Sequence, residues 1–216
     1  MSNEEERYKI ERLKMVEEQI RRRGVLDRHV LEAVEKVPRH LFVPEKLRND
    51  SYQDFPLSIG FGQTISQPYI VAYMTEKLRL TKNEKVLEIG VGSGYQTAIL
   101  AELAKEVYSI EVVPELASAT ELKLKSMGYT NIRIKQGDGY KGWQEYSPFD
   151  AINITAAPEE IPRELVNQLK VGGRMIVPVG SFSQQLYFIT KNENAIIQKE
   201  LFGVRFVPMI HRKENG

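Results

Sequence analysis

The 216-residue chain contains no cysteine. Disulfides, thiolate zinc sites and every mechanism built on a cysteine nucleophile are thereby excluded. No apolar run approaches membrane-spanning length, and the first residues, Met1-Ser2-Asn3-Glu4-Glu5-Glu6, are acidic where an export signal would be basic and then apolar. A cytoplasmic protein with no membrane partner is expected. Charge excess is missing too: 30 Lys and Arg stand against 29 Asp and Glu, a formal net charge of +1. That balance does not draw the chain to a phosphate backbone, so no nucleic-acid partner is expected. Histidine is scarce, and His29, His40 and His211 are scattered without ligand spacing, so no metal is expected either. Internal repeats and low-complexity segments are also lacking, which excludes solenoids and linkers.

What is present reads as one domain with a short accessory segment. Residues 1–80 are expected to form N-terminal helices and a site-building loop, and residues 81–216 a cofactor-binding α/β core, together one compact unit. A first helix is predicted over Glu4–Arg23, with Ile10, Leu13, Val16 or Glu17, and Ile20 at helical spacing and Gly24 as its stop. A second runs from Asp27, a capping residue, through Val30, Leu31, Val34 and Val37 to Pro38. Between Pro38 and Pro68 the aromatic and turn residues read as a long irregular segment, too apolar to be disordered.

After Thr81, short β-branched runs alternate with helical stretches, the pattern of a doubly wound, mostly parallel seven-stranded α/β sheet behind an N-terminal helical and loop extension. The predicted strands are Lys85–Ile89, Val107–Ile110, Ile132–Gln136, Ala151–Thr155, Arg174–Pro178, Gln185–Thr190 and Gly203–Val207. Tyr95–Ala104, Pro114–Met127 and Glu159–Gln168 are the clearest helices, and Lys170-Val171-Gly172-Gly173 reads as a turn.

The first of these strands ends in Glu88-Ile89-Gly90-Val91-Gly92-Ser93-Gly94. Such a loop turns tightly, allows a ligand close to the backbone and opens a helix with free amides, although it can also be a plain strand-to-helix turn. Its third glycine comes one residue earlier than in the dinucleotide fingerprint, which argues against a pyrophosphate ligand. With an acidic residue before the first glycine, it resembles motif I of the class I S-adenosylmethionine-dependent methyltransferases. Glu111, at the end of the second strand, is placed to accept from ribose hydroxyls, or else to sit as a negative charge near the helix that Pro114 opens. Asp138, after the third strand, is placed to accept from an adenine amino group, or else to make a turn.

Beyond the loop, Pro38-Arg39-His40-Leu41-Phe42-Val43-Pro44, Gly62-Gln63-Thr64-Ile65-Ser66-Gln67-Pro68, Phe149-Asp150-Ala151-Ile152, Ala156-Ala157-Pro158 and Val177-Pro178-Val179-Gly180 make nearly the whole chain resemble the protein-L-isoaspartate O-methyltransferases. The Thr-Ile-Ser-Gln-Pro string is the most diagnostic, and other class I methyltransferases lack it. Asn153, where an apolar residue is expected, and Ile210, where Thr is common, depart from the pattern. The resemblance implies methyl transfer from S-adenosylmethionine, leaving S-adenosylhomocysteine, to the free α-carboxylate of isoaspartyl residues in peptides and proteins. It implies cofactor contacts from Gln63, Thr64, Ile65, Ser66, Glu88, Gly90, Gly92, Gly94, Glu111, Val112, Asp138 and Gly139. It implies substrate contacts from Thr64, Ser66 and Val207, with Ser66 governing the transfer as a donor that orients the carboxylate. On the residues alone, Ser66 could equally cap the helix beginning near Pro68. A nitrogen methyltransferase would carry Asn/Asp-Pro-Pro-Tyr/Phe where this chain has Thr155-Ala156-Ala157-Pro158. An inactive binding module of the same fold is the reading from another class.

Overall fold

The structure is a computed structural model that describes residues 3–211; Met1 and Ser2 of the acidic start lie outside them. Helix α1 spans Asn3–Met15 and continues through a π turn, Val16–Ile20, and a 3-10 turn, Arg21–Arg23, to Gly24, which adopts a left-handed φ of 92°. The expected apolar stripe is only half realised. Val16 and Ile20 are buried, but Ile10 and Leu13 face solvent, and the inward face is instead Tyr8 and Met15. Tyr8 sets that face by stacking on His40 with ring centroids 4.0 Å apart. Helix α2, Arg28–Lys36, is capped by Asp27, whose carboxylate accepts from the amides of His29 and Val30 at 2.9 and 3.1 Å.

The stretch expected to be irregular contains two 3-10 turns, Arg39–Phe42 and Glu45–Asp50, and then a β-hairpin of β1, Leu57–Gly60, and β2, Gln63–Ile65. Positive φ at Phe61 (53°) and Gly62 (71°) gives the two-residue turn the hand that matches strand twist. The strands are too short, and Phe61 too unusual at positive φ, for this hairpin to stand out from alternation alone. Helix α3, Pro68–Leu78, follows at once, with Pro68 in its first turn.

The core sheet contains β3 (Lys85–Ile89), β4 (Glu106–Glu111), β5 (Ile132–Gln136), β6 (Phe149–Ile154), β7 (Leu169–Val179), β8 (Gln184–Lys191) and β9 (Ile196–Val204), in spatial order β5-β4-β3-β6-β7-β8-β9. The first five are mutually parallel, whereas β8 and β9 are antiparallel to their neighbours. Val86, Leu87 and Ile89 of β3 are all buried, as a strand covered on both faces requires. Helices α4 (Tyr95–Leu103) and α5 (Pro114–Ser126) match their expected spans to within a residue.

Three boundaries move. The Lys170–Gly173 segment is not a turn but an irregular part of β7, where the pairing with β6 shifts between Phe149 and Ala151. Helix α6 shrinks to Arg163–Asn167, because Pro158 and Pro162 keep the preceding residues extended. The strand expected over Gly203–Val207 lies instead at Ile196–Val204 and shares only Gly203 and Val204 with that span; Phe206 is held by Gln184, whose side chain accepts from its amide and donates to its carbonyl. Among the described residues no helix is long and apolar enough to cross a membrane.

One polar cluster lies inside this core. Glu88 of β3 has no exposure, and one carboxylate oxygen accepts from the hydroxyls of Thr97 and Ser109 at 2.6 and 2.5 Å. Its other oxygen is unpaired, as are both amide atoms of fully buried Asn153, which stands in register beside it on β6. Burial pushes the Glu88 carboxyl up to about 7, against the two hydroxyl donors, which favour the charged form. The unfolded chain therefore ionises this group from its ordinary value of 4.5, before the folded protein does. Its contribution to stability is intact below that value and is lost as pH rises towards about 7. Relative to wild type, Glu88→Gln should gain on the order of 2–3 kcal/mol between acid and mildly alkaline pH. Urea unfolding of both proteins at pH 5 and pH 8 measures this, and an equal difference at the two pH values would contradict it.

Candidate active site

Strand β3 ends at the switch point of the sheet, where β4 lies on one side and β6 on the other, the position at which open α/β sheets bind ligands. Gly90 takes a φ of 93°, and a Cβ there would lie 2.5 Å from the Thr155 hydroxyl oxygen. That hydroxyl donates to the carbonyls of Ile89 and Gly90, tying the loop to the end of β6. Gly94, at 87°, caps α4, and a Cβ there would meet the Thr120 methyl at 2.5 Å. The Thr120 hydroxyl in turn donates to the Gly92 carbonyl at 2.8 Å. Close packing on both sides therefore calls for glycine.

The glycine amides are not left open. Gly90 donates to Ile110 and Gly94 to Val91, while Gly92 donates to the Glu111 carboxylate at 2.9 Å. The second Glu111 oxygen accepts from the amide of Val113 at 3.0 Å. Glu111 is thus fixed by two backbone donors, with acceptor capacity remaining on both oxygens. It is nearly buried and lines a cavity together with Gly90, Gly92, Val112 and Gly139.

The opposite wall comes from the N-terminal segment. Gln63, Thr64, Ile65 and Ser66 line this same cavity, as do Thr155 and Val207. The Val207 segment is held by two backbone bonds, from the Ala157 amide to the Val207 carbonyl at 2.8 Å and from the Met209 amide to the Ala157 carbonyl at 2.7 Å. Ser66 does not cap α3: the capping position is Gln67, with no side-chain hydrogen bond. Its half-buried hydroxyl is left available to the cavity, and Glu111 is the single charged group among the described lining residues.

Three expected contacts are placed elsewhere. Glu88 lies beneath the loop in the polar cluster and does not line the cavity. Gly94 is absent from the wall because it is packed against Thr120 and Leu124. Asp138 caps the next turn through the Tyr140 amide at 2.9 Å and meets His211 Nδ1 at 3.0 Å, so Gly139, not its carboxylate, reaches the cavity. No group of three or more potential ligands gathers for a metal among the described residues.

Thr155 and Arg39 are the residues that sequence reasoning left without a role. The position after the fourth strand pointed to Thr155, and the Pro-Arg-His string contained Arg39. Arg39 is wholly buried; its Nε donates to the Ser51 carbonyl at 2.7 Å and its Nη2 to the Ser66 carbonyl at 2.8 Å. The guanidinium lies 4.9 Å from the Tyr95 ring centroid, and burial lowers its pKa to about 10, which leaves it charged at neutral pH. Phe42, three residues on, packs edge-on against the same ring at 5.6 Å.

With this geometry in view, the comparisons with known proteins are consistent with one another. The sequence profile described as protein-L-isoaspartate(D-aspartate) O-methyltransferase matches residues 11–214. A Picosynechococcus protein-L-isoaspartate O-methyltransferase is 54% identical over 198 residues, covering 92% of this chain and 89% of the relative. The Gloeobacter violaceus enzyme of the same name is 53% identical over 201 residues, covering 92% and 98%. Among solved structures, a protein-L-isoaspartate O-methyltransferase superposes with a TM-score of 0.84 at 30% identity, covering 94% of this chain and 67% of that one. A Plasmodium falciparum structure described as a beta-aspartate methyltransferase in complex with S-adenosyl-L-homocysteine gives 0.81 at 29% identity, covering 92% and 98%.

The Arg39 clamp carries its own prediction. Arg39→Met would leave one buried and one part-buried carbonyl without this donor, so it should destabilise the fold by about 2–4 kcal/mol in urea unfolding. Arg39→Lys, with one donor group where two are needed, should lose part of that, and a methionine variant as stable as wild type would remove the clamp from the account.

Proposed function

The chain belongs to the protein-L-isoaspartate(D-aspartate) O-methyltransferase family, and on that premise we propose how its own residues carry out the reaction. It is an S-adenosylmethionine-dependent methyltransferase that acts on the free α-carboxylate of L-isoaspartyl residues in damaged peptides and proteins. The methyl ester closes to a succinimide with loss of methanol, and hydrolysis of the imide returns part of the chain as normal aspartyl, so repeated cycles restore the backbone.

The observation that carries the residue assignment is the convergence of two unrelated segments, Gln63–Ser66 and the glycine loop with Glu111, on one cavity. The residues fit the cofactor. Glu111 offers acceptor capacity to a vicinal diol, and Gly92, Val112 and Gly139 give close backbone and apolar walls. When bound, S-adenosylmethionine supplies a sulfonium methyl as the electrophile.

The substrate needs no base. An α-carboxylate with a pKa near 3.5 is ionised at neutral pH, so the protein's task is to align an oxygen and keep water away. We assign alignment to the Ser66 hydroxyl, supported by its freedom from a capping bond, with Thr64 and Val207 completing the substrate wall. Ile65, Val71 and Tyr95 make the surrounding surface dry. The near-balanced charge supports a polypeptide rather than a nucleic-acid partner, and a cytoplasmic location belongs to this proposal.

Matched peptides differing only in Asp or isoaspartate, incubated with methyl-labelled S-adenosylmethionine, test the reading. Label should enter the isoaspartyl peptide alone and leave as methanol in mild alkali. An alkali-stable product would mean an amine or ring acceptor. For Ser66→Ala, turnover should fall on the order of tenfold to a thousandfold while S-adenosylhomocysteine affinity by calorimetry stays nearly unchanged. The pH profile should keep its shape at a lower plateau, because no proton is removed by this hydroxyl. Full turnover in Ser66→Ala would transfer the orienting role to Thr64 or to backbone amides.

A further inference from the structure

A second concavity adjoins the first and shares Thr64, Ser66, Thr155, Val207 and Pro208 with it. Its volume is about 1170 Å³, and its outer wall is built from the β7–β8 turn and the segment after β9. Phe182, fully exposed at the tip of that turn, forms part of its rim. Among the described lining residues one is charged, Arg205, and no carboxylate lines the groove with it. Arg205 is exposed, and its side chain has no hydrogen bond or ion pair among the described residues. It lines the outer groove and not the inner cavity.

We infer that this groove holds the polypeptide flanking the isoaspartyl residue, and that Arg205 selects flanking segments bearing a side-chain carboxylate. The inference rests on the proposed function, because continuity with the reacting site is what identifies the occupant. Two features favour a flanking carboxylate over the reacting one. Arg205 lies outside the cavity where transfer occurs. A guanidinium bound to the attacking oxygen would also stabilise the charged ground state more than the transition state, in which that charge is being neutralised. A cation unpaired in an otherwise uncharged groove acts on whichever charge the flanking residue brings, attracting Glu or Asp and repelling Lys or Arg.

The test uses isoaspartyl peptides of one sequence in which the residue after, or in a second set before, the isoaspartyl position is Glu, Gln or Lys. Specificity constants are read from S-adenosylhomocysteine formation, which does not depend on ester lifetime. In at least one of the two sets, wild type should rank Glu above Gln above Lys, with a Glu-to-Lys ratio of about three- to twentyfold at low salt. The ratio should shrink towards one at about 0.5 M salt. Arg205→Gln should bring it near one at low salt, Arg205→Lys should keep most of it, and Arg205→Glu should reverse the order. S-adenosylhomocysteine binding by each variant checks that the cofactor side is intact. A wild-type ratio near one in both sets, or a ratio that survives Arg205→Gln, overturns this inference alone. If no isoaspartyl peptide is methylated by wild type, the proposed function itself falls, and this inference with it.

Discussion

A single buried guanidinium joins the Ser66 side of the cavity to the rest of the molecule. Among the described residues Arg39 makes no ion pair, and Asp54 acts on its charge only from beyond ion-pair distance; the guanidinium donates to two backbone carbonyls and lies over the face of Tyr95. Burying an arginine without a paired carboxylate is costly, and the cost is tolerated where several groups need one rigid multi-pronged donor. Here they do. Ser51 closes the 3-10 turn, Ser66 ends the hairpin segment, and Tyr95 opens the helix behind the glycine loop, so one side chain links the three pieces that must agree in position. Around it, Tyr8 stacks on His40, and His40 Nδ1 meets the Tyr52 hydroxyl at 2.7 Å, which brings the first helix down as a cover. The N-terminal segment is therefore built in as a wall of the site.

On the glycine-loop side the fixed group is an anion. Glu111 is held by the Gly92 and Val113 amides, so its orientation does not depend on a ligand being bound. Pre-organisation of this kind moves the ordering cost into folding, where the sheet already meets it. The two anchors are opposite in charge. Arg39 works through Ser66 from behind, whereas Glu111 faces the cavity directly. A reaction that neutralises a carboxylate and a sulfonium needs a site that holds both without clamping either by a strong ion pair, and Glu111 alone in an otherwise uncharged lining meets that condition.

The sheet was legible in the sequence because short β-branched runs alternate with helical stretches, their apolar residues buried in β3, β4 and β6, and because Pro114 and Asp27 mark helix starts chemically. The hairpin at Leu57–Ile65 was not, since short strands closed by a left-handed Phe61 give no alternation to count. The bulged start of β7 looked like a turn because Gly172 and Gly173 serve either purpose. In the site, types of residue could be recognised but not which way they face. Glu88 and Glu111 both lie at the carboxyl-terminal ends of strands near the glycine loop, Glu88 one residue before the end of β3 and Glu111 last in β4, yet one is drawn under it by Thr97 and Ser109 and the other across it by two amides. Asp138 was similarly ambiguous, and the turn chemistry of Tyr140 took its carboxylate. Ser66 was the reverse case, where a capping role allowed by sequence is not used because Gln67 occupies that position.

The same division between inner and outer surfaces explains where charge is kept. Within the cavity an extra cation would hold the incoming carboxylate in its ionised ground state and raise the barrier it must cross. Outside, a cation changes which chains arrive and how they settle without touching the reacting oxygen. The chain places Arg205 on that outer surface, two residues before Val207, whose carbonyl is bound by Ala157 and which lines both spaces. One short segment thus serves both spaces: its backbone is bonded to Ala157, its apolar residue lines the inner cavity, and its charged residue stays on the outer groove, where on the proposed reading it acts on arriving chains without touching the reacting oxygen.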